Sequence, residues 1–156
     1  MDGEFLCQDS VPVTTGVAGG NLIILGETQA VALAGAAAAA EAARAVSDVI
    51  LPFPGGVVRA GSKVGSKYKA LKSSTNEAYC PTLRGVVPSE LPERVNAAYE
   101  IVIDGFTFDS VSQAMRAGLH AACGIAGVRR VTAGNYGGKL GKFHIHLKDL
   151  LPEARP

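Results

Sequence analysis

The ten residues AAYEIVIDGF, at 97–106, leave little choice of local structure. Tyr99, Ile101 and Ile103 alternate with Glu100, Val102 and Asp104, the pattern of a strand with one apolar face and one mixed face. NLIILGE (21–27) is a short apolar run bounded by glycines, which suits a buried strand. Thr28 stands where it can cap a helix over 29–47. That stretch is dominated by alanine, the best helix former, and its small side chains let a helix lie close on a sheet. VILPFPGGVVRAGS (49–62) reads as a strand bent by Pro52, Pro54, Gly55 and Gly56. Residues 63–95 form a polar, basic excursion with Pro81, Pro88 and Pro92 and are expected to hold a short helical turn or two. An excursion of that length usually has a function.

Beyond the clear strand, Asp109 is expected to cap a helix whose apolar stripe is Val111, Met115, Gly118, Leu119 and Ala122. Gly124 or Gly127 ends it. VRRVTAGN (128–135) and FHIHLKDL (143–150) both read as strands. At the other end, GVAGG breaks the chain, and residues 4–15 alternate weakly enough for an edge strand, with Pro12 favouring an edge. The order predicts an α+β fold of the ferredoxin-like βαββαβ type, with two helices on one face of an antiparallel sheet and extra strands at both ends.

The chain of 156 residues is 47% hydrophobic and 19% charged, enough for one domain with a real core. No apolar run is long enough to span a membrane. Asp2 and Glu4 stand where a secretory leader carries basic residues, so no leader is expected. Cys7, Cys80 and Cys123 are odd in number and far apart, which argues against a disulfide framework or zinc site and fits a reducing cytoplasm. A net charge of +1 argues against a general nucleic-acid binder. An RNA-recognition module of this topology needs aromatics on its central strands, and only Tyr99 qualifies.

The glycine- and lysine-rich segment TAGNYGGKLGK (132–142) invites a phosphate-loop reading. The P-loop pattern fails at Ala133 and Leu140, and a strand is expected next where a helix should begin. The basic cluster Arg59, Lys63, Lys67, Lys69 and Lys72 is either a solvated loop face or a site for a carboxylate or phosphate. Ser62 and Ser66 would add donors there. His144 and His146 share a strand face, but a metal needs further ligands, so no metal site is expected. Cys80 reads as a buried thiol. Glu100 is a single carboxylate opening an otherwise apolar strand. It is either an edge residue facing water or a general acid/base raised in pKa by apolar neighbours.

Taken in order, GVAGGNLIILGE, PFPGGVVRAGSKVGSK, KSSTNEAYCP, YEIVIDG and TAGNYGGKLGKFHIHL resemble the second half of the formylmethanofuran–tetrahydromethanopterin formyltransferases. The resemblance runs from about Met1 to Leu151. It implies an N-formyltransferase that carries a formyl group from formylmethanofuran, or methylofuran, to N5 of tetrahydromethanopterin in cytoplasmic one-carbon metabolism. Both carriers act as co-substrates, without metal or prosthetic group. It also implies two ferredoxin-like lobes and a homo-oligomer, commonly a tetramer, or a larger formyltransferase/hydrolase complex. Residues 1–151 then correspond to the C-terminal lobe and 152–156 to a tail, with the N-terminal lobe absent from this chain.

In the family the Y-E-I-V-I glutamate is the acid/base, which assigns that role to Glu100. Substrate contacts are expected at Lys63, Lys67, Asn76, Asn135, Tyr136 and Lys139. The near-neutral charge and the Arg/Pro tail fit the methylotroph branch, which uses methylofuran and dephospho-tetrahydromethanopterin. The alternative is a non-catalytic module that builds the oligomer while the chemistry sits elsewhere.

Overall fold

The computed structural model describes residues 3–59, 76–134 and 142–151. Its elements, in chain order, are β1 (Val17–Gly26), α1 (Gln29–Arg44), β2 (Val49–Ile50), β3 (Val58–Arg59), β4 (Ala97–Gly105), α2 (Phe108–Cys123), β5 (Val128–Thr132) and the short α3 (Leu147–Leu150). Single 3₁₀ turns occupy Pro54–Gly56, Glu77–Tyr79 and Pro81–Leu83. The last two are the turns expected of the excursion.

The fold is α+β around an antiparallel sheet. β4 pairs with β1 from Val17↔Gly105 to Gly26↔Ala97, and β5 pairs with the far side of β1. The free side of β4 carries both β2, against Asp104 and Gly105, and β3, against Tyr99 and Glu100. The two short strands make one interrupted edge, broken where Pro52, Pro54 and positive-φ Gly55 and Gly56 deny the chain a continuous ladder. The strand predicted over 49–62 is thus two pieces and a turn.

Leu22, Ile24, Ile101 and Ile103 point to the face covered by α1 and α2, together with Ala36, Ala39, Ala40, Val111, Met115 and Leu119. The buried side of α1 consists of Ala32, Gly35, Ala36, Ala39, Ala40 and Ala43 only. Small side chains bring the helix down onto the sheet, as its alanine content predicts. The stripe Val111, Met115, Gly118, Leu119 and Ala122 is the buried side of α2. A tight backbone approach lies at the β1–α1 junction. A Cβ on Gly26 meets Ala32 N at 2.7 Å and Ala32 Cα at 2.9 Å. These are backbone atoms of the first helical turn and have nowhere to move. Gly26→Ala is therefore expected to destabilise by about 1–3 kcal/mol, read as a lower midpoint in denaturant unfolding.

Several sequence expectations need correction. Thr28 caps α1, accepting from Val31 N, but the helix stops at Arg44, short of residue 47. α2 is capped by Thr107 in a reciprocal capping box with Ser110, and Asp109 lies in the first turn. Gly124 is the C-cap of α2, and Gly127 (φ 89°) makes the turn into β5, which ends at Thr132. GVAGG does not break the chain. It is the start of β1, with the ladder shifting between Ala18 and Gly20 around Gly19 at φ 111°.

Residues 4–15 form no strand: Phe5, Leu6, Val11 and Val13 are all exposed, so neither side of their alternation is buried. FHIHLKDL is not a strand either. Residues 143–146 are irregular and α3 follows. Ile145, Leu147 and Leu150 pack on the helix-side core, with α3 against α2 and the Phe143 ring 6.1 Å from that of Phe108. The apolar positions do share a side, but that side meets helices and adds nothing to the sheet.

Candidate functional site

The second face of the sheet carries Ile23 and Leu25 of β1, which pack with Val95, Tyr79, Leu91 and Ala98. The chain from 76 to 96 supplies the cover. Pleat alternation puts Asn21 on this face of β1 and Glu100, Val102 and Asp104 on this face of β4. Ile23 stands opposite Glu100 and Asn21 opposite Val102, so Asn21 and Glu100 are diagonal cross-strand neighbours.

Both are buried, Glu100 to 7% exposure and Asn21 to 6%. Asn21 Nδ2 donates to Glu100 Oε1 at 2.6 Å, and Asn76 Nδ2, equally buried, donates to Glu100 Oε2 at 3.0 Å. A buried carboxylate is costly unless it is hydrogen-bonded, and here each oxygen accepts an amide N–H. Asn21 is held at its other end too: its Oδ1 accepts from Gly134 N at 3.2 Å. The water-facing edge reading of Glu100 is thereby excluded.

Asn76, expected as a substrate contact, is brought to the Glu100 carboxylate. Lys63, Lys67, Asn135, Tyr136 and Lys139 lie outside the described residues, as do Lys69 and Lys72. Both described flanks of the first stretch and the leading flank of the second meet at Glu100: Val58 pairs with it, Asn76 bonds it, and Gly134 bonds its partner Asn21. Arg59 does not belong with it. It stands opposite Tyr99, on the helix side of the sheet, and is exposed.

Asn21 is the member of this set that sequence reasoning missed. Its only local signal is the period-two match of Asn21, Ile23 and Leu25, hidden in a run apolar on both faces.

Deeper on the same face, Tyr79 donates its hydroxyl to Glu90 Oε2. Burial pushes its phenol above the usual value of 10.0, and the Glu90 hydrogen bond acts in the same direction. A raised folded-state pKa contributes stability that is full below pH 10 and lost as pH rises through the folded value. Tyr79→Phe is expected to flatten the alkaline side of the stability–pH curve above pH 10, measured by denaturant midpoints.

Cys80 is a buried thiol, as expected, its Sγ 3.2 Å from Thr82 Oγ1. His144 and His146 are exposed. Among the described residues no group of three or more His, Cys, Asp or Glu is placed to hold a metal, and no helix is long and apolar enough to cross a membrane.

The family described as FTR, proximal lobe matches residues 3–150. The chain belongs to that family. It is similar to formylmethanofuran–tetrahydromethanopterin formyltransferase of Methylococcus capsulatus, at 55% identity over 97% of this chain and 52% of the relative. Among solved structures it superposes on the formyltransferase/hydrolase complex from Methylorubrum extorquens, determined with methylofuran, at TM-score 0.81 and 54% identity, covering 99% of this chain and 51% of that one. The formyltransferase of Methanosarcina barkeri gives TM-score 0.78 at 47% identity, covering 87% and 46%. The chain thus spans about half the length of the relatives it matches.

Proposed function

We propose that this chain acts as the C-terminal, proximal lobe of an N-formyltransferase that moves a formyl group from formylmethanofuran or methylofuran to N5 of tetrahydromethanopterin. Family membership over residues 3–150 supports the reaction class. The observation that carries the role of this lobe is the buried Glu100 carboxylate, held at both oxygens by amide donors on a face flanked by the ends of two glycine- and lysine-rich segments.

In the reaction the N5 amine attacks the formyl carbon, giving a tetrahedral oxyanion. The new C–N bond persists, the bond to the furan carrier's amine breaks, and one proton passes from the attacking to the leaving nitrogen. Glu100 accepts that proton and returns it. Backbone N–H groups of glycine-lined chain suit the oxyanion. Lys63, Lys67 and Lys139 are assigned to the carboxylate-rich tail of the furan carrier, and Asn135 and Tyr136 to polar contacts with either carrier. Asn76 acts through Glu100.

The sheet order β2–β4–β1–β5, with α1 after β1 and α2 after β4, supports the finer reading of the lobe as a ferredoxin-like split βαβ unit. The rest of the site belongs to an N-terminal lobe of similar size, and the enzyme works in the cytoplasm as a homo-oligomer or within a formyltransferase/hydrolase complex. Exposed Phe106, Phe108 and Phe143 favour a contact role that coexists with catalysis. The test is formyl transfer by the assembled two-lobe enzyme with and without the Glu100 carboxylate, with assembly followed in parallel.

A further inference from the structure

The Asn21 amide is held at both ends, and this fixes more than its position. Gly134 N–H can only donate, so the Asn21 atom facing it must be the carbonyl oxygen. The amide nitrogen is then left pointing at Glu100 Oε1, at 2.6 Å. The amide cannot flip without setting N–H against N–H at Gly134 and oxygen against oxygen at Glu100. A backbone donor on the segment after β5 therefore dictates, through one side chain, that Glu100 Oε1 meets a donor.

We propose that Asn21 is a positioning residue for formyl transfer, holding Glu100 Oε1 as a hydrogen-bond acceptor through an amide whose polarity Gly134 N–H sets. Asn76 holds the second oxygen, so the carboxylate plane is fixed from two directions. The claim rests on the acid/base reading of Glu100. A misplaced proton carrier costs turnover far more than it costs substrate affinity.

Changing the polarity tests it. Asn21→Asp keeps the acceptor for Gly134 N–H but sets a carboxylate against Glu100, where the two can stay close only by sharing a proton. Among the described residues, the other titratable or charged groups on this side are Asp104 of β4, Arg130 of β5, and Glu77, Tyr79, Cys80, Arg84, Glu90, Glu93 and Arg94 of the covering chain; all remain unchanged in the variant. In the assembled enzyme, Asn21→Asp is expected to lower kcat by about 10–100-fold with little change in KM. It is also expected to move the acidic limb of the kcat/KM profile to higher pH and to lower the Tm.

Adding Glu100→Gln to Asn21→Asp should return the Tm close to wild type. The introduced glutamine can donate its Nε2 to the introduced aspartate and accept from Asn76 at its Oε1, so the bonds from Gly134 and Asn76 and the one between the two exchanged side chains are remade, the last with reversed polarity. Catalysis should not return. An Asn21→Asp enzyme with an unmoved pH profile, or a double variant no more stable than Asn21→Asp alone, overturns the proposal. Glu100→Gln alone separates the two failures: if it stays active, the acid/base reading falls and takes this role with it. If it is inactive while the Asn21→Asp profile stays put, only the positioning role falls.

Discussion

Replacing Glu100 with glutamine is expected to lower kcat/KM for formyl transfer by about 10²–10⁴-fold in the assembled enzyme, the range for loss of a positioned acid/base group. Glutamine matches glutamate in size but cannot take up the migrating proton. It also spoils one of the two amide contacts. Its single oxygen can accept from Asn21 or from Asn76, leaving an N–H facing an N–H at the other. A stability loss of about 1–3 kcal/mol is expected from that mismatch. It is small beside the catalytic effect and is expected to leave assembly intact. Kinetics therefore have to be read together with a sizing measurement. A variant that assembles and transfers formyl at near-normal rate leaves the lobe as an assembly module.

The neighbouring residue gives the opposite result. Ile101 is fully buried in the core between sheet and helices, one position along β4 from Glu100 and on the other face. Ile101→Ala is expected to cost about 2–5 kcal/mol, because Leu22, Ile103 and the closely seated α1 and α2 leave little room for collapse around the cavity. Denaturant unfolding reads this as a lower midpoint at unchanged m-value. Well below the transition, kcat/KM should stay within a few-fold of wild type. The two substitutions, side by side in sequence, thus separate the stabilising face of the strand from the chemical one.

How far the sequence was readable follows from what each signal measures. β4 and the buried stripe of α2 were legible because alternation and the helical period record burial directly, and each element packs one side into the core between sheet and helices. The same alternation misled at FHIHLKDL. It shows which side chains share a side, but not whether that side meets a sheet edge or a helix, and Ile145 and Leu147 meet the helix-side core. At residues 4–15 the alternation had nothing to bury against.

The site divides the same way. Glu100 stood out as a carboxylate in an apolar strand. Asn76 was named as a substrate contact, and its bond to the glutamate was not foreseen, because that bond depends on how the excursion folds back over β4. Asn21 depends on the β1–β4 register, which sets it diagonal to Glu100 across 79 positions of sequence. Arg59, read with the basic cluster, stands opposite Tyr99 and so away from the Glu100 face, while the lysines of that cluster lie outside the described residues.

The most direct measurement of the central claim is the pH dependence of kcat/KM for formyl transfer, recorded on the assembled enzyme with Glu100 and with Glu100→Gln. If the carboxylate held by Asn21 and Asn76 manages the proton, the native enzyme shows an acidic limb that the variant lacks, its residual rate being flat across the same range. A variant that keeps the limb, with its rate merely scaled, places the titrating group elsewhere and contradicts the account.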